Sequence, residues 1–325
     1  MKSFEMALPK SVSGAVEASG RKFEDSKFLA GGTDLLGELK DRTQTPKRVV
    51  NLKTVPGLDQ IVVTDDQVEL GALVTLTEIA EHPEIQRMWP ALAETLGKTA
   101  TPNLRNVATL GGNLCQRVRC WYYRSEDYPC LKKGGSICYA QQGENEYHAI
   151  FDNRICCAPH PSNAAPALIA YDAKVEITGK RTRTMSISKF FTSPSEGVTK
   201  ENVLKPNEVL TKVILSRASA GKNSAYVEVR EKQSFDWALC GATAKVDLDG
   251  SKITGARIVL SAVSTTPERR KDLERMLVDQ ELSEELLGKV AERAVKGARP
   301  LEQNGYKVSL VKATVKRAIR QAVKG

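Results

Sequence analysis

Six of the seven cysteines fall at Cys115, Cys120, Cys130, Cys138, Cys156 and Cys157, and only Cys240 lies elsewhere. The stretch "CQRVRCWYYRSEDYPCLKKGGSIC", residues 115–138, holds four of them. Thiols spaced Cys120-x9-Cys130-x7-Cys138-x17-Cys156 invite four chemistries. Burial as small apolar side chains is the usual role of free cysteine. It sits poorly with the neighbours Arg117, Arg119, Arg124, Glu126, Asp127, Lys132 and Lys133, and with the prolines and glycines between them. Disulfides require an oxidising compartment, and "MKSFEMALPKSVSGAVEASG" lacks the basic-then-apolar pattern of an export signal. Structural zinc favours close C-x2–4-C pairs, which this spacing does not offer. A [4Fe–4S] cube takes one thiolate at each corner, and its metal core would organise a segment that burial could not fold. The spacing is not that of a ferredoxin, so residues alone leave zinc, disulfide and iron–sulfur readings open.

A second chemistry is written in glycine. "KFLAGGTDLL", residues 27–36, places Gly31 and Gly32 between a strand-like run and a helix start, with Thr33 and Asp34 at the N-cap end. "ATLGGNL", residues 108–114, repeats the device with Gly111, Gly112 and Asn113. Glycine lets a backbone approach a ligand closely, and a helix start offers unpaired N–H groups to an anion. Neither turn is the dinucleotide fingerprint G-x-G-x-x-G, and each alone reads equally as an ordinary strand-to-helix turn. Together they predict a long, polyphosphate-bearing ligand held at two places. No Ser–His–Asp order, P-loop or metal-hydrolase helix occurs. His82 reads as a surface residue. His148 and His160 flank the cysteine stretch, either as ordinary loop histidines or as hydrogen-bond donors to sulfur.

The elements that must position these groups follow from periodicity. The chain has 325 residues, 41% hydrophobic and 27% charged, as in a globular protein with real cores. No run approaches the roughly 20 apolar residues of a membrane helix. The net charge of +9 is spread along the chain among 39 acidic residues. With no arginine-rich arm or RNA-binding motif, it points to an acidic partner subunit rather than nucleic acid. The first sixty residues read as a β-α-β-type unit: "KSFEMAL", "SVSGAVEASG", "KFLAG" and "RVVNLKTV". "QIVVTDDQVELGALVTL" is strand-like, and "LTEIAEHPEI" through "ALAETLGKTA" is helical. "NAAPALIAYDAKVEITG" is helix then strand, and "KPNEVLTKVILS" is a strand. Beyond a boundary near Ser216, "SAYVEVR", "WALCGATAKVDLD" and "KITGARIVLSAVS" predict a three-strand antiparallel meander with one covered face. Two amphipathic helices follow, "SEELLGKVAERAVKG" and "YKVSLVKATVKRAIRQAVK".

The two glycine turns, with "APALIAYDAKVEI", "NEVLTKVIL", "SFDWALCGATA" and "NGYKVSLVKATVKRAI" in that order, resemble the FAD-binding subunit of the molybdenum hydroxylases, the xanthine dehydrogenase family. The resemblance covers most of the chain. It implies an α+β fold. Residues 1–217 would form an FAD-binding PCMH/VAO-type domain of two subdomains. Residues 218–325 would form a CO-dehydrogenase-flavoprotein-like C-terminal domain, a three-stranded antiparallel sheet plus helices. Two branches of the family carry a cysteine loop, here at about 115–160: 4-hydroxybenzoyl-CoA reductase and a periplasmic aldehyde oxidoreductase type. "RCWYYRSEDYPC", "GGSIC" and "EYHAIFDNRICCAPHPSN" resemble the second more closely. The resemblance implies a [4Fe–4S] cluster on Cys120, Cys130, Cys138 and Cys156, with Cys157 as the adjacent alternative and Cys115 outside the set.

For FAD, the resemblance implies that Lys27, Phe28, Leu29, Ala30, Gly31, Gly32, Thr33, Asp34 and Leu35 cradle the pyrophosphate beside Thr109, Gly112 and Asn113. Asn163 stands where related chains usually carry Asp, keeping an acceptor but no charge. Leu210 is implied to pack on the flavin. Glu228 occupies a place where Lys is expected, with Lys232 near enough in sequence to substitute. Phe235 and Trp237 read as isoalloxazine neighbours or as core aromatics. With no molybdopterin or [2Fe–2S] motif of its own, the chain is expected to relay electrons. They would come from a large molybdopterin-binding subunit and a small [2Fe–2S] subunit, pass through FAD and reach an acceptor, during oxidation of an aldehyde. The expected compartment is the cytoplasm, or the periplasm as passenger on a signal-bearing partner. Alternatives are a hydroxybenzoyl-CoA-reductase-like or xanthine-dehydrogenase-like complex, a self-standing flavin oxidoreductase using NAD(P)H, and a zinc-stapled non-enzymatic module.

Overall fold

Short apolar runs separated by capped helices build three sheets in the computed structural model, which describes residues 1–232 and 235–325. The first sheet holds β1 (Glu5–Ala7), β2 (Ser26–Leu29) and β3 (Arg48–Asn51), all parallel, in the order β1-β3-β2. The helix Val12–Ala18 makes the crossover. Ser11 starts it by accepting from the Gly14 N–H at 3.0 Å, the usual N-cap device. The expected β-α-β-type unit is therefore present. Its small core gathers Ala15, Val50, Leu52 and Leu58.

The second sheet runs β4-β5-β8-β6-β7, entirely antiparallel. Its strands are β4 (Ile61–Val63), β5 (Gln67–Gly71), β6 (Lys174–Thr178), β7 (Thr182–Ser186) and β8 (Val209–Ser216). Alternate side chains such as Val68, Leu70, Val175, Ile177, Val213 and Leu215 share one core with Trp89, Leu92, Leu96 and Tyr171 from the helices beside them. β7, "TRTMS", carries almost no apolar signal because it is an edge strand, and sequence periodicity passed over it.

The third sheet corrects the expected three-strand meander. β9 (Ser224–Val229), β10 (Cys240–Asp249) and β11 (Lys252–Ser261) are joined by the two-residue β12 (Glu268–Arg269), in the order β12-β11-β10-β9. The meander also has two covered faces rather than one. Ala242, Ala244, Val246, Ile258 and Leu260 pack with Val311, Val315, Ala318 and Ile319 of the helix Lys307–Lys324. The opposite side meets the helices Pro90–Lys98 and Ala164–Ala170, so even Thr243 has no exposed surface. A helix at Lys271–Leu277 precedes the expected Glu284–Ala294. Among the described residues no helix is long and apolar enough to cross a membrane.

Candidate functional site

β2 ends at Leu29 and the chain turns at Gly31 and Gly32 before the helix Leu35–Lys40. Gly32 has φ of 78°, a conformation open chiefly to glycine. Gly31 packs so closely that a Cβ there would strike the Val107 carbonyl. A Cβ on Gly111 would likewise meet Ala72. Thr109 accepts from the Gly112 N–H at 3.1 Å and opens the helix Leu110–Cys115. The two glycine turns therefore stand against each other, as a ligand held at two places requires.

Asp34 departs from its expected capping role: its side chain makes no cap bond. It reaches into the cysteine segment instead. Oδ2 accepts from the Arg117 backbone N–H at 2.8 Å, and Oδ1 pairs with Arg119 at 2.5 Å and Arg124 at 2.7 Å. Burial pushes the Asp34 carboxyl up, but the Arg119 and Arg124 guanidinium groups outweigh it and hold the acid below its usual range. One turn along the same helix, buried Glu38 accepts from the Tyr123 hydroxyl at 2.5 Å, and burial raises its carboxyl.

Two large cavities meet at Thr33 and Asp34. One, of about 580 Å³, contains the glycine turns; every residue from Lys27 to Leu35 except Leu29 lines it, as do Thr109 and Gly112. Leu29 alone of this run is absent from the wall. Lys27 lies deep in this wall, where burial and then Arg117 lower its ammonium. The other cavity, of about 620 Å³, lies between the 159–163 segment and the loop leading into β10, and Asn163, Lys232 and Trp237 line it. The Arg119 guanidinium stands 4.7 Å over the Trp237 ring, a cation–π contact between two residues of its wall. A ligand with a polyphosphate middle and a planar end fits this paired space, because Gly31, Gly32 and Gly112 leave the wall of one cavity bare of side chains beside the point where it meets the other. FAD has that shape.

The cysteines part company in space. Cys120, Cys130, Cys138 and Cys156 all line one small cavity, walled also by Tyr122, Tyr123, Tyr139 and Lys132. Cys138 lies within hydrogen-bonding reach of Cys156 and Cys157. Cys157 is outside that wall; fully buried, it donates to the Asn153 carbonyl at 3.4 Å. Cys115 lines the glycine-turn cavity, and burial pushes its thiol up to about 12. Cys240 sits in the β10 core. Among the described residues no three His, Cys, Asp or Glu side chains are grouped to hold a single metal ion. Four thiols on the wall of one cavity are the donor set for a group that presents a separate iron to each. Buried Lys132 stands beside them, paired with Glu201 at 3.0 Å.

Several predicted residues lie outside the cavity walls. Asn113 sits behind one: its Oδ1 accepts from Ser162 Oγ at 2.7 Å and from the Ala164 N–H at 3.3 Å, holding in place the segment that carries Asn163. Leu210 is buried in the second-sheet core and lines neither cavity. Glu228 also lines neither; it accepts from the Tyr226 hydroxyl at 2.8 Å and pairs with Arg230, so its reversed charge is neutralised locally. Phe235 is 62% exposed and outside the walls. His82 lies at a helix junction away from the cavities. Sequence reasoning missed Arg119, whose only signal was its place beside Cys120, and gave His148 and His160 no settled role. Both histidines line the 620 Å³ cavity. Burial and nearby Lys132 lower the His160 imidazole to about 3.

Comparison with known proteins agrees along the whole chain. The family described as the FAD binding domain in molybdopterin dehydrogenase matches residues 2–217, and the CO dehydrogenase flavoprotein C-terminal domain matches residues 224–322. The aldehyde oxidoreductase FAD-binding subunit PaoB of Escherichia coli K12 is 34% identical, covering 94% of this chain and 93% of its own. The carbon monoxide dehydrogenase medium chain of Hydrogenophaga pseudoflava is 27% identical, over 98% of this chain and 96% of its own. A solved structure of carbon monoxide dehydrogenase from that organism superimposes with a TM-score of 0.78 at 25% identity, covering 99% of this chain and 97% of the other.

Proposed function

The chain belongs to the FAD-binding subunits of the molybdopterin dehydrogenases, an oxidoreductase family, and on that premise we propose that it relays electrons between partner subunits and an acceptor. In this reading a large molybdopterin-binding subunit oxidises an aldehyde, a small [2Fe–2S] subunit delivers the electrons, and this chain carries FAD and a [4Fe–4S] cluster. FAD, when bound, accepts electrons singly and releases them in pairs; the protein supplies binding, orientation and environment. Residues 1–217 would carry both groups, and 218–325 would close the flavin cavity through the loop ahead of β10.

The chain's own residues have distinct tasks. Gly31, Gly32 and Gly112 give the pyrophosphate access to backbone N–H groups, with Thr109 stiffening the second turn. Asn163, Lys232 and Trp237 face the planar end. Cys120, Cys130, Cys138 and Cys156 hold the cluster, and Cys157, bonded to a carbonyl, stays out of the set. The observation that carries this reading is that those four thiols, drawn from 37 residues of irregular chain, line one cavity beside the flavin space. The aldehyde follows from the likeness to the aldehyde oxidoreductase subunit. Purified protein should be yellow-brown, release FAD on denaturation and contain about four irons per chain. Zinc in place of iron would overturn the cluster, and absence of releasable FAD would overturn the relay.

A further inference from the structure

Of the four cysteines around the small cavity, Cys120 alone also lines the 620 Å³ cavity. It is the shared wall between the two spaces. His148 stands beside it, 2% exposed and also facing the larger cavity, with Nε2 3.2 Å from the Cys120 Sγ. Its ring is packed on one side and its backbone is held at both ends. Trp121 meets it edge-on at 5.3 Å, its backbone N–H donates to Asn145 at 3.0 Å, and its carbonyl accepts from Asn304 at 3.1 Å. The other ring nitrogen, Nδ1, is buried and has no partner among the described residues.

We propose that Cys120 is the ligand through which the cluster faces the flavin, and that His148 is the positioning residue holding its sulfur there by donating Nε2–H to it. The inference rests on the reading of the site given above. A metal-bound thiolate can only accept, so the proton must sit on Nε2 and leave Nδ1 bare. A bare Nδ1 is what a pocket without a donor tolerates, and the unpartnered atom is thereby explained. A donor on a ligand sulfur offsets negative charge and favours the reduced cluster. Transfer across this wall moves one electron, lost by one group and gained by the other, with no bond made or broken.

The test uses the full chain with its partners, as wild type, His148→Leu and His148→Gln, with iron and FAD counted before a reductive titration followed by cluster and flavin spectra. His148→Leu should keep wild-type iron and FAD. Its cluster midpoint should fall, changing the cluster–flavin electron equilibrium by about tenfold, the size expected for a lost hydrogen bond to a charged group. His148→Gln, whose amide can still donate, should recover most of the shift. Full occupancy with an unchanged potential in His148→Leu would overturn the inference, and loss of iron from both variants would make His148 a structural prop and overturn it equally. If only His148→Leu loses iron, a near-native potential in His148→Gln supports the inference and a displaced one refutes it. Wild-type protein without iron would instead refute the cluster itself, and this inference with it.

Discussion

The third sheet and the cysteine segment lie side by side in one chain and are held together by different physics. β10 and β11 are ten residues each and share a continuous apolar core with the helix Lys307–Lys324. Burial at roughly 25 cal/mol per Å² orders such a region without help. Residues 115–160 contain no named strand and only short helical turns. Their two apolar clusters are small and largely made of tyrosine and cysteine. Apart from Ile150 and Phe151, which reach into the third-sheet core, its ties to the rest of the molecule are largely polar: Asp34 to Arg119 and Arg124, Glu201 to Lys132, and Asn145 to Gln303 through bonds of 2.8 and 3.0 Å. On the proposed reading, a segment built this way leans on the group its thiols would hold. A segment built like the third sheet does not.

Breaking the comparison on the cysteine side should give the largest effect. Cys130→Ser is expected to abolish iron binding and open residues 115–160 to protease while the third sheet stays protected. Hydrogen exchange and metal analysis measure both, and Cys157→Ser, outside the thiol cavity, should keep its iron. Equal protection of the 115–160 segment in both variants would show that it folds without the cluster. On the other side, Leu260→Ala empties a site with no exposed surface. It should lower unfolding free energy by about 3 kcal/mol, read from the denaturant midpoint, with iron and FAD content unchanged.

The smallest effect sharpens the border between the regions. Asp34→Asn removes a carboxylate whose side chain is 16% exposed between two arginines and should cost about 2 kcal/mol, less than a fully dry ion pair. Because the Asp34 carboxyl lies below its unfolded value, its contribution is present above that value and is lost as the pH falls through the folded one. Wild-type protein should therefore lose stability faster than Asp34→Asn on acidification below about pH 4. Parallel acid profiles for the two proteins would remove Asp34 as the tie.

Much of the third sheet and the parallel unit was legible because their signals are local: alternating apolar positions, and glycines between a strand and a helix. β7 and β12 were not legible, since a polar edge strand and a two-residue strand exist only through their neighbours. The glycine turns were legible for the same local reason, and eight of the nine residues from Lys27 to Leu35 line the predicted space. Leu210 and Glu228 lie away from it because their positions depend on which face of β8 and β9 packs inward.

By itself the amino-acid sequence determined the elements, the two glycine turns and the gathering of thiols, all properties of residues near one another in the chain. Tertiary structure alone decided which thiols face a common space. Cys156 lines the small cavity and its neighbour Cys157, whose thiol donates to the Asn153 carbonyl, does not. Cys120 comes to border the flavin space because Asp34, 86 positions earlier, draws Arg119 and Arg124 against the glycine turn. Direction and partnership of side chains are set by contacts between distant segments, and no local pattern encodes them.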